Sequence, residues 1–400
     1  MKPFGIKNIF KENSPYKLFL TSLLCIGLSY GIYKGVLDNY LAQIVGMGEF
    51  DRGVTEFFRE LPGFLLVLIL AALYSFSAEK IFKIGSVIML FGLFSISVLP
   101  ASSIFVILSI FIYSTGEHIQ MGMKNTLSLE YAKEGKGGEA LGLQSSLSNF
   151  GNIFGYIITA AIFLFTDSEL TFRITFLLAF LLMLISSSTP FKLKGSQTKA
   201  DSSSKRFYFK KKYTKYYFLE IFYGARKQIF MTFGPYVLIL FYGASATIIS
   251  ALFAISAICC FICAPLLGKL IDKIGYKIVM VTDTLILVIV CFFYGFAHHI
   301  FSHNVAFVVC CINYVLDTII SLTSMASNVY VKDLSDSPEE TRATITTGIS
   351  VNHFISIIIA LFGGWIWQEL GIEVLFSLSA FLGLCNSAYA ASIKVKKTSL

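Results

Sequence analysis

The chain has 400 residues, of which 56% are hydrophobic and only 14% are charged, and its mean hydropathy is +0.73. Soluble domains carry about 25% charged residues, so this composition excludes an ordinary soluble domain and indicates a polytopic membrane protein. The net charge of +8 could suggest nucleic-acid binding, but the positive residues concentrate in loops and we find no nucleic-acid-binding motif.

Twelve apolar stretches are long enough to cross a bilayer as helices, which takes about 20 residues each. In chain order they are residues 17–40, 61–78, 84–100, 102–125, 141–165, 171–190, 216–242, 246–267, 277–297, 304–327, 342–366 and 372–391. The alternation of apolar and polar residues that predicts a transmembrane barrel is absent from the sequence. We therefore predict an all-α membrane protein with twelve transmembrane helices.

The first span carries Lys34 and, four residues later, Asp38, a spacing that allows an ion pair on one helical face. Lys34 has two interpretations: it snorkels to the outer interface, or it lines the outer entrance of a cavity. The loop that follows, residues 48–63, is rich in charge. We predict a short amphipathic turn there, before a helix that starts near Pro62.

The fourth span carries Glu117 and His118 in its inner half. An ionisable residue at this depth indicates a ligand site or a proton relay, although a structural pair with a neighbouring cation is the alternative. His353 in the eleventh span is interpreted as a hydrogen-bonded core histidine.

The seventh span is the most unusual stretch of the chain because Arg226 and Lys227 interrupt it. Counted from Tyr216 at about 1.5 Å per residue, Arg226 lies roughly 15 Å into the span, near the bilayer midplane. A cation at that depth costs between about 2.5 and 17 kcal/mol. We therefore expect these side chains to face a partner or a water-filled cavity, with Tyr223 one turn away on the same wall.

The tenth span places Asn313, Asp317, Ser321, Ser324 and Asn328 at steps of three or four residues. This spacing puts them on one polar stripe of an otherwise apolar helix. The stripe is either structural, inside the helix bundle, or part of a binding cavity.

We expect no cofactor and no metal site. The eight cysteines all lie in apolar spans and are interpreted as small buried hydrophobes, including Cys260 and Cys263. His298, His299 and His303 cluster in a predicted outer loop. Their spacing does not suggest a set of metal ligands, and a solvated loop is favoured.

The distribution of positive charge predicts the topology. Of the 32 Lys and Arg residues, 26 lie at the termini or in loops on one predicted side, and only Arg52, Arg59 and Arg173 lie on the other. The positive-inside rule then places both termini and the central loop in the cytoplasm, in a chain that resides in the cell membrane.

The chain also contains an internal repeat. Residues 139–149 align with 342–352, and residues 83–89 align with 273–280. The two copies have the same orientation, which predicts two parallel halves of six helices. We assign residues 1–191 to the N-terminal half, 192–215 to a basic cytoplasmic linker and 216–400 to the C-terminal half.

The loop at residues 268–277 reads Gly-Lys-Leu-Ile-Asp-Lys-Ile-Gly-Tyr-Lys. It resembles the cytoplasmic signature of the major facilitator superfamily, and the spans, halves and central loop extend this resemblance over nearly the whole chain. The resemblance implies gating roles for Gly268, Asp272 and Gly275. We expect Asp272 to pair with Arg342 or with the N-terminus of the eleventh helix. The first copy of the loop departs from the pattern because Phe82 stands where the family has Asp.

The resemblance also implies that helices 1, 4, 7 and 10 line a central cavity. The deepest ionisable residues fall on those four spans. On this basis we predict a binding or coupling site formed by residues from both halves, namely Lys34, Glu117, His118, Tyr223, Arg226, Lys227, Asn313 and Asp317. We expect Arg226 or Lys227 to lie within a few ångströms of Glu117 or Asp317, or of a cavity that they share. Charges of the two halves would then pair directly or through the solute.

The predicted function is secondary active transport of a small polar or charged solute by alternating access, with a proton as the candidate coupling ion. The alternative within the same fold is an exporter of hydrophobic compounds or a lipid flippase. An enzyme is disfavoured because the sequence contains no appended soluble domain and no recognisable catalytic set. The expected partners are the solute, the coupling ion and the lipid bilayer, and the expected state is a monomer.

Overall fold

The computed structural model describes residues 8–73, 75–188 and 209–394. The earlier helices are α1 (Tyr16–Asn39), α2 (Glu49–Ala72), α3 (Ala78–Val98), α4 (Ser103–Tyr131), α5 (Gly137–Ile162) and α6 (Glu169–Ser188). The later helices are α7 (Thr214–Leu240), α8 (Ala246–Ile274), α9 (Tyr276–Ile300), α10 (His303–Ile320), α11 (Met325–Leu334) and α12 (Pro338–Ala391). The all-α fold class is confirmed, and most of the predicted linker, residues 192–208, lies outside the described residues.

Within the described ranges, eight helical segments are long and apolar enough to cross a membrane. Helices α2, α5 and α7 are not among the eight, because their sequences hold more charged or small polar residues. Helix α12 counts once, although Gly371 at φ +90° breaks it into two rods. The twelve spans therefore stay a prediction.

The helices group into two compact units. Unit 1 consists of Met1–Gly46, Leu61–Ser203 and Ser245–Ala254, and unit 2 consists of Met47–Glu60, Ser204–Ala244 and Ile255–Leu400. The start of α2 thus packs with unit 2 and the start of α8 with unit 1. In the halves predicted from the sequence, by contrast, the start of α2 belongs to the N-terminal half and the start of α8 to the C-terminal half.

In unit 1, α1 packs against α5 and α6. Glycines make the α1–α5 contact close: a Cβ atom at Gly27, Gly31, Gly151 or Gly155 would overlap backbone atoms of the facing helix. Small residues of this kind let helix backbones approach in membranes, where packing rather than the hydrophobic effect drives association.

In unit 2, α7 packs against both rods of α12. Gly224 of α7 faces Asn352, and Gly348 of α12 faces the ring of Tyr216. The arrangement corresponds to that of α1 with α5 and α6 in unit 1, as expected if residues 139–149 and 342–352 belong to equivalent repeats.

Two loop predictions are wrong. Residues 49–63 are helical, because α2 begins at Glu49 and contains Pro62 in its interior. His298 and His299 form the last turn of α9, and His303 begins α10. The sequence predicts a short amphipathic turn in the first place and a solvated loop in the second, because a dense group of polar residues does not reveal its partners on distant helices.

Candidate functional site

The best-defined feature of unit 2 is a buried ion pair between α7 and α10. Nη1 of Arg226 lies 3.1 Å from Oδ1 of Asp317, and the two side chains are only 3% and 7% exposed. Burying either charge alone costs several kcal/mol, and pairing offsets that cost. The pairing expected between a cation of α7 and Asp317 is therefore present, but it joins two helices of one unit rather than the two halves.

The pair leaves part of the guanidinium without a partner. Nη2 of Arg226 is buried and has no hydrogen-bond partner among the described residues. An arginine presents its donors as a planar fork that matches a carboxylate or phosphate group. The site thus pairs one edge of the guanidinium with Asp317 and leaves a donor available to a further acceptor.

The ring of Tyr223 lies beside both cations, and its role in lining a cavity stays a prediction. Its ring centroid lies 5.1 Å from the Arg226 guanidinium carbon and 6.0 Å from Nζ of Lys227. Its hydroxyl donates a 2.8 Å hydrogen bond to the carbonyl oxygen of Ser321, where α10 passes through the 3₁₀ turn Ser321–Ser324. Tyr223 therefore fixes the distance between α7 and the polar stripe of α10.

Further polar groups of unit 2 lie on α7, α10 and the neighbouring helices α9 and α11. Glu220, one turn before Tyr223, accepts a 3.0 Å hydrogen bond from the hydroxyl of Ser327. On α9, Asp283 accepts a 2.6 Å bond from the hydroxyl of Thr323. The side-chain amide of Asn313 donates a 2.8 Å hydrogen bond to the carbonyl oxygen of Val309, one turn earlier on the same helix. Glu220 lies at the i−3 spacing from Tyr223, a signal that could have marked it in the sequence.

A second group of charges lies at the start of α2, in the stretch that the sequence predicts as a turn and not as part of a site. Glu56 is 2% exposed and accepts from Nη1 of Arg52 at 2.9 Å, from Nε of Arg59 at 2.9 Å and from Nη2 of Arg59 at 2.6 Å. Arg59 also pairs with Glu60. These residues recur at i+3 and i+4 spacing and lie on one helical face, as expected for a helix rather than a loop.

Two contacts tie this α2 cluster (Arg52, Glu56, Arg59 and Glu60) to other helices of unit 2. Nε2 of Gln228 on α7 donates a 2.9 Å hydrogen bond to Oε1 of Glu56. Nδ1 of His353 on α12 lies 2.8 Å from Oε2 of Glu60. Gln228 lies two residues after Arg226, so α7 contributes to both polar groups. The interpretation of His353 as a hydrogen-bonded core histidine agrees with its contact to Glu60.

The predicted site residues of unit 1 form contacts within that unit. Nζ of Lys34 donates a 2.7 Å hydrogen bond to the carboxylate of the fully buried Asp38, and it lies 5.4 Å from the ring centroid of Phe253. Nδ1 of His118 lies 2.8 Å from the carbonyl oxygen of Ser114, in the preceding turn of α4. Glu117 is half-buried on the same helix. A role for these residues in binding stays a prediction.

The predicted gate lies around the connection between α8 and α9. Gly268 belongs to α8, and Gly275 has φ +87°, which favours glycine there. Asp272 is exposed and forms no ion pair with the side chains that the structure describes. The side chain of Arg342 lies outside the described residues.

A different set of ion pairs ties the start of α12 to the turn before α7. Lys210 and Lys212 donate hydrogen bonds of 2.9 Å and 3.0 Å to the carboxylate of Glu340. Lys212 also donates a 2.8 Å hydrogen bond to Asp336. The hydrogen bond to Asp336 raises the pKa of Lys212. The charged start of α12 is thus paired with the end of the basic linker, a contact that the sequence did not suggest.

Comparison with known proteins identifies the fold. A family model described as Major Facilitator Superfamily matches residues 216–398, and no curated protein sequence gives a significant match.

Solved structures resemble nearly the whole chain. The crystal structure of the nucleoside transporter NupG has a TM-score of 0.73 at 16% identity, covering 96% of this chain and 100% of that chain. A POT family transporter in complex with 5-aminolevulinic acid gives 0.74 at 11% identity, with 93% and 94% covered. The D-xylose-proton symporter gives 0.70 at 14% identity, with 94% and 96% covered. Residues 216–398 therefore match the Major Facilitator Superfamily model, and the chain as a whole has a fold similar to that of these solved transporters.

Proposed function

We propose that the chain is a secondary active transporter that moves a small polar or charged solute across the cell membrane by alternating access. The family fold supports secondary transport, and the similar structures include transporters named for nucleosides and xylose, which are polar solutes. The distribution of Lys and Arg supports cytoplasmic termini. We propose a monomer that works within the bilayer without a cofactor.

One observation carries the proposal for the solute: the buried guanidinium of Arg226 is only partly paired. Asp317 accepts from Nη1, while Nη2 has no partner among the described residues. An unsatisfied buried donor costs about 1–3 kcal/mol. A solute with an acidic or strongly polar group would remove that cost by accepting from Nη2, with Tyr223 and Lys227 beside it.

A thermal-shift screen of the purified protein tests this proposal. The panel contains organic anions, zwitterions, neutral polar solutes and hydrophobic compounds. We expect stabilisation by members of the polar classes, and loss of that shift in the variant Arg226→Gln/Asp317→Asn. The variant Lys269→Gln, which removes an exposed cation of α8, is the matched control and should keep the shift. Stabilisation only by hydrophobic compounds, unchanged in the double variant, would support the exporter or flippase instead.

We further propose that the α2 cluster and His353 form the coupling site for a proton. Glu60 and His353 come from different helices and share one hydrogen bond, so a proton gained or lost there changes the attraction between α2 and α12. Glu60→Gln mimics the protonated carboxyl group. In liposomes we expect this variant to exchange solute across the membrane but to lose accumulation driven by a pH gradient. Accumulation equal to that of the wild type would exclude Glu60 as the coupling group.

A further inference from the structure

A third polar cluster lies in unit 2, where the end of α9 meets the part of α12 that follows Gly371. Nε2 of His298 and Nε2 of His299 lie 3.1 Å and 2.9 Å from the same carboxylate oxygen, Oε1 of Glu373. One ligand atom from each of the three residues can be chosen so that all lie within 4.8 Å of one another. Two imidazoles from consecutive positions thus converge on one carboxylate that is 74 residues away in sequence.

The backbone at the break of α12 makes this convergence possible. Gly371 has φ +90°, a conformation that L side chains rarely adopt. A Cβ atom at this position would lie 2.6 Å from Oε2 of Glu373. Glycine therefore allows the chain to turn and the carboxylate to fold back towards the end of α9, where the α-carbon of Glu373 packs near Gly295.

We propose that His298, His299 and Glu373 form a binding site for a divalent transition-metal ion of the zinc class. Two imidazole nitrogens and one carboxylate oxygen form a ligand set that suits Zn²⁺, whereas Mg²⁺ and Ca²⁺ prefer oxygen ligands. Zinc bonds to these ligands measure about 2.0–2.2 Å, which places tetrahedral ligand atoms about 3.3 Å apart. The two nitrogen–oxygen distances of the cluster need to open by only a few tenths of an ångström to accept the ion.

Two features of the structure affect how tightly this site would bind zinc. Three protein ligands leave a fourth position for water, as in open zinc sites. Nδ1 of His298 has no hydrogen-bond partner among the described residues, and its ring packs 4.8 Å from that of Phe241. Metal-binding histidines usually donate their second ring nitrogen to an acceptor, and losing such a bond weakens affinity about 10- to 100-fold. We therefore expect zinc to bind more weakly here than at closed four-ligand sites.

Isothermal titration of the tag-free, full-length protein in detergent with ZnCl₂ tests the site. We expect one Zn²⁺ per chain, with binding unaffected by millimolar Mg²⁺. Glu373→Gln and His299→Ala should each weaken zinc binding at least about tenfold. His303→Ala removes a neighbouring histidine outside the cluster, which packs on the ring of Tyr242, and should leave binding unchanged.

Absence of zinc binding by the wild type would overturn the proposal, and so would wild-type affinity in both ligand variants. If neither variant elutes as a folded protein, cobalt(II) bound to the wild type decides the question. Strong visible absorption typical of four-coordinate cobalt supports the site. The weak spectrum of hydrated cobalt overturns it.

Discussion

Arg226 and Asp317 depend on each other because each is buried in a place where it could not remain charged alone. Their side chains are 3% and 7% exposed, and their contact measures 3.1 Å. Removing one member of a buried ion pair costs about 3–5 kcal/mol, whereas replacing both members is often neutral. A variant that replaces both residues should therefore stay folded, so that the effect of the pair on solute binding can be measured separately from its effect on stability.

The first prediction concerns the stability of this pair. Asp317→Asn should lower stability by about 3–5 kcal/mol because it leaves the guanidinium of Arg226 uncompensated. The double variant Arg226→Gln/Asp317→Asn should recover most of that loss, measured as the unfolding temperature in detergent. Equal destabilisation by the single and double variants would show that the two charges are not coupled.

The second prediction concerns Tyr223, which has both a hydroxyl and a ring contact. Tyr223→Phe removes only the 2.8 Å bond to the carbonyl of Ser321 and should cost about 0.5–1.5 kcal/mol. Tyr223→Leu also removes the ring beside the two cations, which should cost about 0.5–2 kcal/mol more. Chemical denaturation of the three proteins measures the difference, and a loss no larger for Leu than for Phe would exclude a role for the ring.

Some of the charged residues of unit 2 could be predicted as functional candidates from the sequence, and others could not. Arg226, Lys227 and Asp317 are visible because an isolated charge in an apolar span has few explanations. Glu56 and Glu60 were missed because a dense run of charges next to an apolar span looks the same in a loop and in a buried helix. Their main partners outside α2, Gln228 and His353, lie 172 and 293 residues away, and no local pattern encodes contacts of that kind.

At the scale of the helices, close approach between backbones determines which elements pack together. Helix α5 presents Gly151 and Gly155 to the backbone of α1. Gly142 lies on the same helix but would have no atom within 4 Å of an added Cβ. The apolar spans predicted most helices from hydropathy, whereas this distinction between glycines requires the facing helix to be known.

The third prediction tests that distinction. Gly155→Val should destabilise unit 1 by about 1–3 kcal/mol or more, because the added side chain overpacks the α1–α5 contact. Gly142→Val is the matched control and should stay close to the wild type. The yield of monodisperse protein and its unfolding temperature measure both variants, and equal behaviour of the two would contradict the packing described for α5.

At the scale of the whole molecule, the proposed topology rests on the charge distribution and the helix order. The loop between α4 and α5 contains Glu134, and the loop between α5 and α6 contains Asp167; both residues are exposed. The positive-inside rule places these two loops on opposite sides of the membrane.

The fourth prediction is that Asp167→Cys reacts with an impermeant maleimide in intact cells, whereas Glu134→Cys reacts only after the membrane is permeabilised. The eight native cysteines are buried or half-buried, so the wild type serves as the blank. Labelling of Glu134→Cys from outside would reverse the proposed orientation.

The central claim is that solute binds at Arg226 and Asp317 and is transported from there. The most direct test is counterflow exchange of a solute from the thermal-shift screen, in liposomes that contain the purified protein. We predict exchange by the wild type and by Lys17→Gln, which removes an exposed cation at the start of α1. Exchange by Arg226→Gln/Asp317→Asn should be at least about tenfold slower, which corresponds to about 1.4 kcal/mol. Wild-type exchange by a folded double variant would contradict the claim.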